Sequence, residues 1–446
     1  MTLHYPELAE RVRGQRAQQP DLYGAIDFDR SPYRFTSDPE VRSALRRGNR
    51  EPLLADDGLV ELIRTGTMLG DVVADPYAAL LPQYGLHRLM SMLRQACREG
   101  IDAVVDAPEE LRAFIASMEA TPAWVDMDLV EQGARAQRVS AAFLAPFLIR
   151  GAFMATFANT YAALPMALTG ALSDRRAERR VNETANFFAV TTLQGALERD
   201  GLGFEAAAMV RLMHSMVRYN ALQRSTQWDP DVYGVPIPQV DQMPAGLIEP
   251  FRLAMDALSN GRTEFTARER AVLELCRYRC FLLGLPEELL PTSAADTIRM
   301  FSARSAMLRD GFDDSTCGEL MRSTMGAYLR PSQSRFDRIA DAVERSWSKA
   351  FFYLQVCRRD KKLAASMGVH FGGADMARVA ATAPFILVRF LGVRFASGRC
   401  TLSGPADRYT QRVLERRLAT YGNPEFTTDA HAYPTTPPAV RQEAAR

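Results

Sequence analysis

One segment of the chain places an imidazole between two guanidinium groups. Arg211, His214 and Arg218 stand at i, i+3 and i+7, which puts them on one face of a helix. An imidazole can bind a metal ion, and arginines can clamp carboxylates with paired hydrogen bonds. Haem carries both an iron and two propionates, so this face could bind both ends of it. The alternative is a core histidine with two arginines that reach solvent.

A second segment adds to this pattern. Arg180-Val181-Asn182-Glu183-Thr184 ends 30 residues before His214, and Arg180 and Thr184 are i, i+4 neighbours on a predicted helix. Together the two segments resemble the catalytic domain of the rubber oxygenases, or latex clearing proteins. That family includes the ER-bound oxygenase of mycophenolic acid biosynthesis. Its members carry an Arg-x-x-x-Thr pair, followed at this separation by an Arg-x-x-His-x-x-x-Arg helix.

Further stretches extend the resemblance in the same order along the chain, over roughly residues 70 to 300. Each is short, but their order and spacing together are specific. They are Gly70-Asp71-Val72-Val73-Ala74-Asp75, Pro122-Ala123-Trp124-Val125-Asp126, Gly234-Val235-Pro236-Ile237-Pro238 and Leu283-Gly284-Leu285-Pro286-Glu287-Glu288-Leu289-Leu290-Pro291.

The resemblance implies a role for each residue of the two segments. His214 would be the proximal ligand of a b-type haem, and the only protein ligand needed to hold the iron. Arg180 and Thr184 would lie on the distal side, where dioxygen and substrate meet. Arg211 and Arg218 would hold the cofactor helix and the propionates, through the propionates themselves or through neighbouring acids.

Two departures from the family pattern bear on the reaction. Some rubber oxygenases have a lysine directly before the distal threonine, and here that position is Glu183. Rubber-cleaving members also use a glutamate from the upstream helix as a base, whereas residues 151–170 of this chain include no carboxylate. Glu183 could shuttle a proton if it is buried, or it could pair with Arg179 or Arg180 at the surface. Polyisoprene cleavage is therefore not expected.

The periodicity of apolar residues predicts an all-α protein without strands. We expect an N-terminal arm over residues 1–50 with irregular structure, a single large helical domain over 51–421, and a disordered tail over 422–446. The resemblance implies that the helical domain encloses a haem b pocket. Ser173 followed by Asp174 is a suitable N-terminal cap for the helix with Arg180. About a dozen helices are predicted, near 56–68, 84–100, 107–119, 128–149, 152–170, 174–195, 203–223, 245–259, 266–284, 293–308, 315–329, 334–358 and 376–395.

The composition of the chain indicates which binding partners and which cellular location to expect. The chain has 446 residues, 47% of them hydrophobic, and a net charge of +1, which does not favour nucleic acid as a partner. The six cysteines form no Cys-x-x-Cys pair and are expected to be buried thiols. The N-terminus lacks the apolar region of a signal peptide, so a cytoplasmic location is expected.

Two apolar stretches require comparison with a membrane span. Residues 139–172 are long enough, but a buried core helix is favoured because charged residues follow at once. The run from Ala383 to Leu391 is too short to span. We therefore expect no integral membrane span.

These observations favour a haem b-dependent oxygenase, an oxidoreductase that acts with dioxygen on an apolar small molecule. A terpenoid, a polyketide or a lipid-like substrate would suit a pocket lined by aromatic side chains. Two alternatives remain: a haem-binding sensor or isomerase of the same fold, and a haem-free helical protein that binds a partner. The expected lining residues are Phe153, Phe157, Tyr161, Phe187 and Phe188.

Overall fold

The protein is all-α, as the periodicity predicts. The computed structural model describes residues 3–46, 48–169, 174–399 and 401–421. Within these ranges there are 22 α-helices and no strand, and only two isolated antiparallel bridges join residues in extended conformation. The described chain forms two compact units, one within residues 3–130 and 197–311 and the other within 131–196 and 312–421.

Unit one contains the segment with His214. Its long helices are amphipathic or buried, and short four-residue helices begin at or next to a proline. Its α-helices are α1 Pro6–Gln18, α2 Pro20–Tyr23, α3 Glu51–Leu54, α4 Asp57–Gly66, α5 Ala74–Ala79, α6 Leu81–Glu99, α7 Glu109–Glu119, α12 Leu202–Arg224, α13 Pro230–Tyr233, α14 Gln239–Gly246, α15 Ile248–Ser259, α16 Ala267–Leu282 and α17 Ala294–Met307.

Unit two contains the segment with Arg180. Two buried clusters organise it, one around Met154, Met321 and Phe352 and the other around Phe143, Phe390 and Leu414. Its helices are α8 Met127–Phe143, which begins in unit one, then α9 Ala145–Ala155, α10 Thr160–Leu168, α11 Asp174–Val190, α18 Glu319–Gly326, α19 Arg335–Phe351, α20 Lys361–Ser366, α21 Gly373–Ser397 and α22 Ser403–Tyr421.

The apolar stretch after Val139 is broken more often than its sequence predicts. Helix α8 ends at Phe143, and α9 begins at Ala145, after a single intervening residue and at an angle of 99°. Pro146 stands in the first turn of α9, where its missing N–H does no harm and where it prevents α8 from continuing. A second break precedes α10, which Asn159 caps through its side chain. The predicted helix over 152–170 is therefore wrong in its bounds.

The N-terminal arm and the end of the chain also differ from prediction. Residues 6–18 form α1, which buries Leu8 and Val12, so the expected irregular structure is wrong there. The long helix α22 was not predicted, because its apolar residues are few and widely spaced. The proposed cap at Ser173 and the proposed tail over 422–446 lie outside the described residues.

Helix α21 is longer than the apolar run within it. Pro384 lies inside the helix without ending it, and α21 is 25 residues long in total. It is long and apolar enough to cross a membrane by length and composition, which corrects the expectation drawn from the short run at Ala383. The bent pair α8 and α9 passes the same test only if both are taken as one span.

Candidate functional site

Helix α12 is buried along nearly its whole length. Gly201 precedes it and Ser225 follows it, both in extended conformation. Between Arg211 and Arg218 every residue is buried except His214, which is half-buried. Met209, Met213 and Met216 are core residues, as the sequence predicts. His214 is thus the one side chain of this segment that combines a metal-binding group with access from outside the core.

A relay of amide groups orients the His214 imidazole. Its Nδ1 lies 2.8 Å from Oε1 of Gln242, whose Nε2 donates to Oε1 of Gln239 at 2.8 Å. Nε2 of Gln239 donates in turn to the Gly70 carbonyl at 3.0 Å. A carbonyl can only accept, so each amide in the relay presents its oxygen toward His214. Nδ1 is therefore the protonated nitrogen, and Nε2 carries the lone pair that an iron would need.

The relay ends in a tightly packed glycine. The Gly70 N–H donates to Oε1 of Gln15 at 2.7 Å, and Nε2 of Gln15 donates to the Met68 carbonyl at 3.0 Å. A Cβ on Gly70 would lie 2.2 Å from the Tyr23 hydroxyl oxygen. Only glycine fits there, so the first residue of the Gly-Asp-x-x-Ala-Asp stretch is explained by close packing.

Arg211 binds a carboxylate of the chain itself. Its Nε lies 2.6 Å from Oδ2 of Asp71 and its Nη2 lies 2.8 Å from Oδ1, a bidentate pair that is almost fully buried. Nη1 donates to the Ser117 hydroxyl at 3.0 Å, and the guanidinium lies 5.1 Å from the centroid of the Phe114 ring. The pairing with a neighbouring acid, one of the two predicted alternatives, is what these contacts show.

Arg218, seven residues or about two helical turns after Arg211, has the same kind of environment. It is fully buried, binds Asp75, and donates from Nε to the Pro236 carbonyl at 2.9 Å and from Nη2 to the Ile237 carbonyl at 2.7 Å. The two acids stand before and within α5 and pair in order with the two arginines of α12, Asp71 with Arg211 and Asp75 with Arg218. The Gly-Asp-x-x-Ala-Asp and Gly-Val-Pro-Ile-Pro stretches therefore both serve to hold α12.

Gly284 packs directly against the ion pair of Arg211 and Asp71. Its φ is +88°, in the region that favours glycine, and a Cβ there would lie 2.6 Å from Oδ2 of Asp71 and 2.9 Å from Nε of Arg211. The Leu-Gly-Leu-Pro stretch thus covers the Arg211 pair. Whether Arg211 or Arg218 also contacts a propionate stays a prediction.

The buried acids have perturbed acidities. Burial opposes ionisation of Asp71, but the charge and hydrogen bonds of Arg211 outweigh it and lower the pKa of Asp71 below its ordinary value. Burial raises the pKa of Asp75, and the nearby charge of Asp71 adds to this effect, while Arg218 opposes it. Burial and the charge of Asp75 raise the pKa of Tyr23 well above its ordinary value. The Tyr23 hydroxyl therefore stays protonated and donates to Asp75.

The tryptophan stretch has a structural role of its own. The Arg277 guanidinium lies 4.0 Å from the centroid of the Trp124 ring, within the range of a cation–π contact. Asp126 accepts a hydrogen bond from the Leu129 N–H at 3.1 Å and so caps α8. These contacts position α8 and α16, and they include none of the residues predicted to bind haem or dioxygen.

The predicted distal residues lie together on α11 of unit two. Glu183 is buried, and its carboxylate contacts Nε of Arg179 at 3.1 Å and Nη1 of Arg180 at 3.8 Å. The predicted pairing with these arginines is thus present, although the glutamate is not at the surface. Thr184 is half-buried, one residue further along. The structure brings Arg180 and Glu183 together, and their distal role stays a prediction.

Four of the five aromatic residues proposed to line a pocket form two pairs within unit two, and the fifth, Tyr161, is half-buried on α10. Phe153 and Phe157 contact edge to face at 4.9 Å, and Phe157 is buried in the cluster around Met154. Phe187 and Phe188 contact edge to face at 5.3 Å on α11. Phe157 is therefore a core residue, because its ring is enclosed by side chains of its own unit.

Two residues of the site were missed at the sequence level. Gln239 and Gln242 stand at i and i+3 on α14, just after the Gly-Val-Pro-Ile-Pro stretch, and this spacing places them on one helix face. No feature of their composition marks them as partners of a histidine 28 residues away. Within the described ranges, no group of three or more His, Cys, Asp or Glu side chains could hold a metal ion.

Comparison with known proteins supplies the family. The family model of the "ER-bound oxygenase mpaB/B'/Rubber oxygenase, catalytic domain" matches residues 137–388, more than half of the chain. A solved structure of latex clearing protein in the closed state is 17% identical, covers 79% of this chain and 91% of its own, and superposes with a TM-score of 0.54. At that identity the likeness shows the fold. No curated protein matches. The chain belongs to the family of ER-bound and rubber oxygenase catalytic domains.

Proposed function

We propose that this protein is a haem b-dependent oxygenase that uses dioxygen to oxidise an apolar small molecule. The family supplies the oxygenase class, and the substrate class is our proposal from the apolar, aromatic composition around α9 to α11. The observation that supports haem is the environment of His214. A histidine whose Nδ1 donates to a fixed amide oxygen has the tautomer and the ring orientation of a proximal ligand.

His214 fits the predicted role of a haem ligand, whereas the two arginines beside it fit a different role from the predicted contact with the propionates. His214 fits an axial ligand, because a haem iron needs a single protein ligand and brings its other ligands with it. Arg211 and Arg218 are committed to Asp71 and Asp75, so we propose that they retain haem indirectly, by fixing α12 and therefore His214. When bound, the haem would supply the iron that activates dioxygen.

The distal assignment rests on the resemblance and is proposed separately. Arg180 and Thr184 would donate hydrogen bonds to negative charge that develops on bound oxygen. Glu183 would fix the Arg180 guanidinium through their ion pair, and its carboxylate would shuttle a proton on the distal side in place of the missing upstream glutamate. We expect Arg180→Ala and Thr184→Ala to retain haem and to lower oxygen affinity or turnover. Loss of haem without a specific effect on oxygen would instead assign both residues to the scaffold.

Two measurements separate this proposal from the remaining alternatives. The purified chain is titrated with haemin, and we expect a Soret band that saturates at one haem per chain. Absence of such a band would favour a haem-free partner-binding protein. Oxygen uptake by the reduced, haem-loaded protein is then measured with a terpenoid, a polyketide and a long-chain lipid. A haem protein with no uptake on any of them would favour a sensor or an isomerase. A cytoplasmic location stays part of the proposal and is testable by cell fractionation.

A further inference from the structure

Helix α21 presents an apolar face to the outside of unit two. The most apolar 18-residue window of the helix is only 6% buried, whereas a core helix of the same composition would be mostly buried. Its side chains at i, i+4, i+7, i+11, i+14 and i+18 form one continuous line, which we term the apolar stripe. The apolar stripe consists of Ala377, Ala381, Pro384, Val388, Leu391 and Phe395, all exposed.

The exposure of the stripe is large and is set by how α21 is anchored. Val388 is 70% exposed, Phe395 59% and Leu391 54%. The opposite face of the helix carries the contacts to the rest of unit two: Thr382 accepts a hydrogen bond from the Trp347 indole at 2.9 Å, and Phe390 packs in a buried cluster. The stripe therefore faces outward because the inner face is fixed by these contacts.

The charges beside the stripe are all positive. From Met376 to Ala406 the sequence contains four arginines and no Asp or Glu. By helical spacing, Arg378 and Arg389 lie on one flank of the stripe and Arg394 lies on the other. Arginine stems can cover apolar surface while their guanidinium groups reach the polar layer above it, which suits a helix that lies flat at a lipid–water boundary.

Helix α19 extends the positive surface. Its three acids, Asp337, Asp341 and Glu344, are all buried, whereas Arg335 and Arg338 are exposed. A depression of about 470 Å³ beside these arginines is lined by three guanidinium groups and by small apolar side chains, with no carboxylate. The lining residues are Arg335, Arg338, Ile339, Ala342, Val343 and Arg378.

We propose that the apolar stripe of α21 and the basic depression beside α19 form a docking surface for a bilayer that contains anionic phospholipid. The stripe would insert among the acyl chains at the boundary, and the arginines would contact phosphate groups. A second copy of the chain is a poorer occupant, because apposing two stripes would bring arginine flanks together with no acid between them. This surface lies outside the residues of the proposed oxygenase site, and its test does not depend on haem.

Vesicle sedimentation tests the proposal with the full-length chain. Vesicles of phosphatidylcholine alone and of phosphatidylcholine mixed with phosphatidylserine are compared at low and high salt. We expect binding to the mixed vesicles that weakens as salt rises. Val388→Glu should lower the affinity roughly tenfold, since a carboxylate would enter the boundary layer beside anionic lipid. The matched control is Val105→Glu, a valine of unit one that is 74% exposed and should bind like the parent.

A second pair of variants keeps the test independent of helix stability. Arg335→Glu combined with Arg338→Glu should abolish the preference for phosphatidylserine, while Arg88→Glu, an exposed arginine of unit one, should not. A parent that stays in the supernatant, or equal binding by Val388→Glu and Val105→Glu, would overturn the proposal. So would a concentration-dependent dimer that Val388→Glu dissociates, which would identify a second copy as the occupant. Resistance of the bound protein to an alkaline carbonate wash would indicate a spanning helix instead.

Discussion

Helices α12 and α21 are of similar length and are both rich in apolar residues, yet the fold treats them in opposite ways. Within α12, the two arginines beside His214 are buried and each is neutralised by an aspartate more than 100 residues away in sequence. The arginines beside the stripe of α21 flank an exposed apolar face; Arg378 contacts the buried Asp375 at 3.6 Å, and no Asp or Glu occurs in the sequence from Met376 to Ala406. Charge that is neutralised inside the fold stabilises a site, whereas charge without a matching acid is available to a partner.

The largest effect is expected where a buried charge loses its partner. Asp75→Asn keeps the shape of the side chain but leaves Arg218 buried without a carboxylate. We expect the free energy of unfolding to fall by about 3–5 kcal/mol, measured by urea denaturation. Asp102→Asn, an exposed acid of the same unit, is the control and should have little effect. Equal stability of the two variants would remove the distinction between neutralised and unmatched charge.

A smaller effect is expected at the amide relay. Gln242→Leu removes the acceptor of the His214 Nδ1–H, and we expect haem affinity to fall by about 10–100-fold. Resonance Raman of the ferrous protein should also show a weaker iron–histidine stretch, because an imidazole without this hydrogen bond is a poorer donor. Gln223→Leu is the control, since Gln223 is an exposed glutamine on α12, the helix that carries His214. An unchanged stretch with unchanged affinity would show that the relay does not act on the ligand.

The smallest effect is expected at a neutralised pair near the surface. Glu269 caps α16 and binds Arg262, and this hydrogen bond with the cap lowers the pKa of Glu269 to about 2. A depressed carboxylate pKa stabilises the fold above the ordinary glutamate pKa, and this contribution is lost as the pH falls from about 4.5 toward 2. Glu269→Gln should therefore remove about 1 kcal/mol at neutral pH, after allowance for solvent screening, and less in acid. Urea denaturation over a pH series measures it, and a constant difference at every pH would contradict the linkage.

The sequence predicts local features of the site well and long-range features poorly. The predicted span 203–223 differs from α12 by one residue at each end, because burial of a regular apolar pattern determines the helix. Pairing of Arg211 with Asp71 could not be predicted, since the two residues are 140 positions apart and only the fold brings them together. The pairing of Asp75 with Arg218 spans 143 positions and was equally beyond sequence analysis.

The exposed face of α21 shows a second limit of sequence analysis. The predicted helix near 376–395 agrees with most of α21, but its apolar residues at helical spacing would equally describe a core helix. Burial depends on which neighbours cover a helix, and hydropathy does not contain that information. The break between α8 and α9 lies inside the predicted helix 128–149 and was missed, although Pro146 at the start of α9 carries a signal for it.

The central claim is that His214 binds the iron of a haem, and a pair of histidine variants tests it most directly. The haemin titration is repeated with His214→Ala and with His87→Ala, an exposed histidine on α6 of the same unit. We expect His214→Ala to lose most of its Soret absorbance, with partial recovery when imidazole is added, while His87→Ala titrates like the parent. A full and unshifted Soret band in His214→Ala would contradict the account.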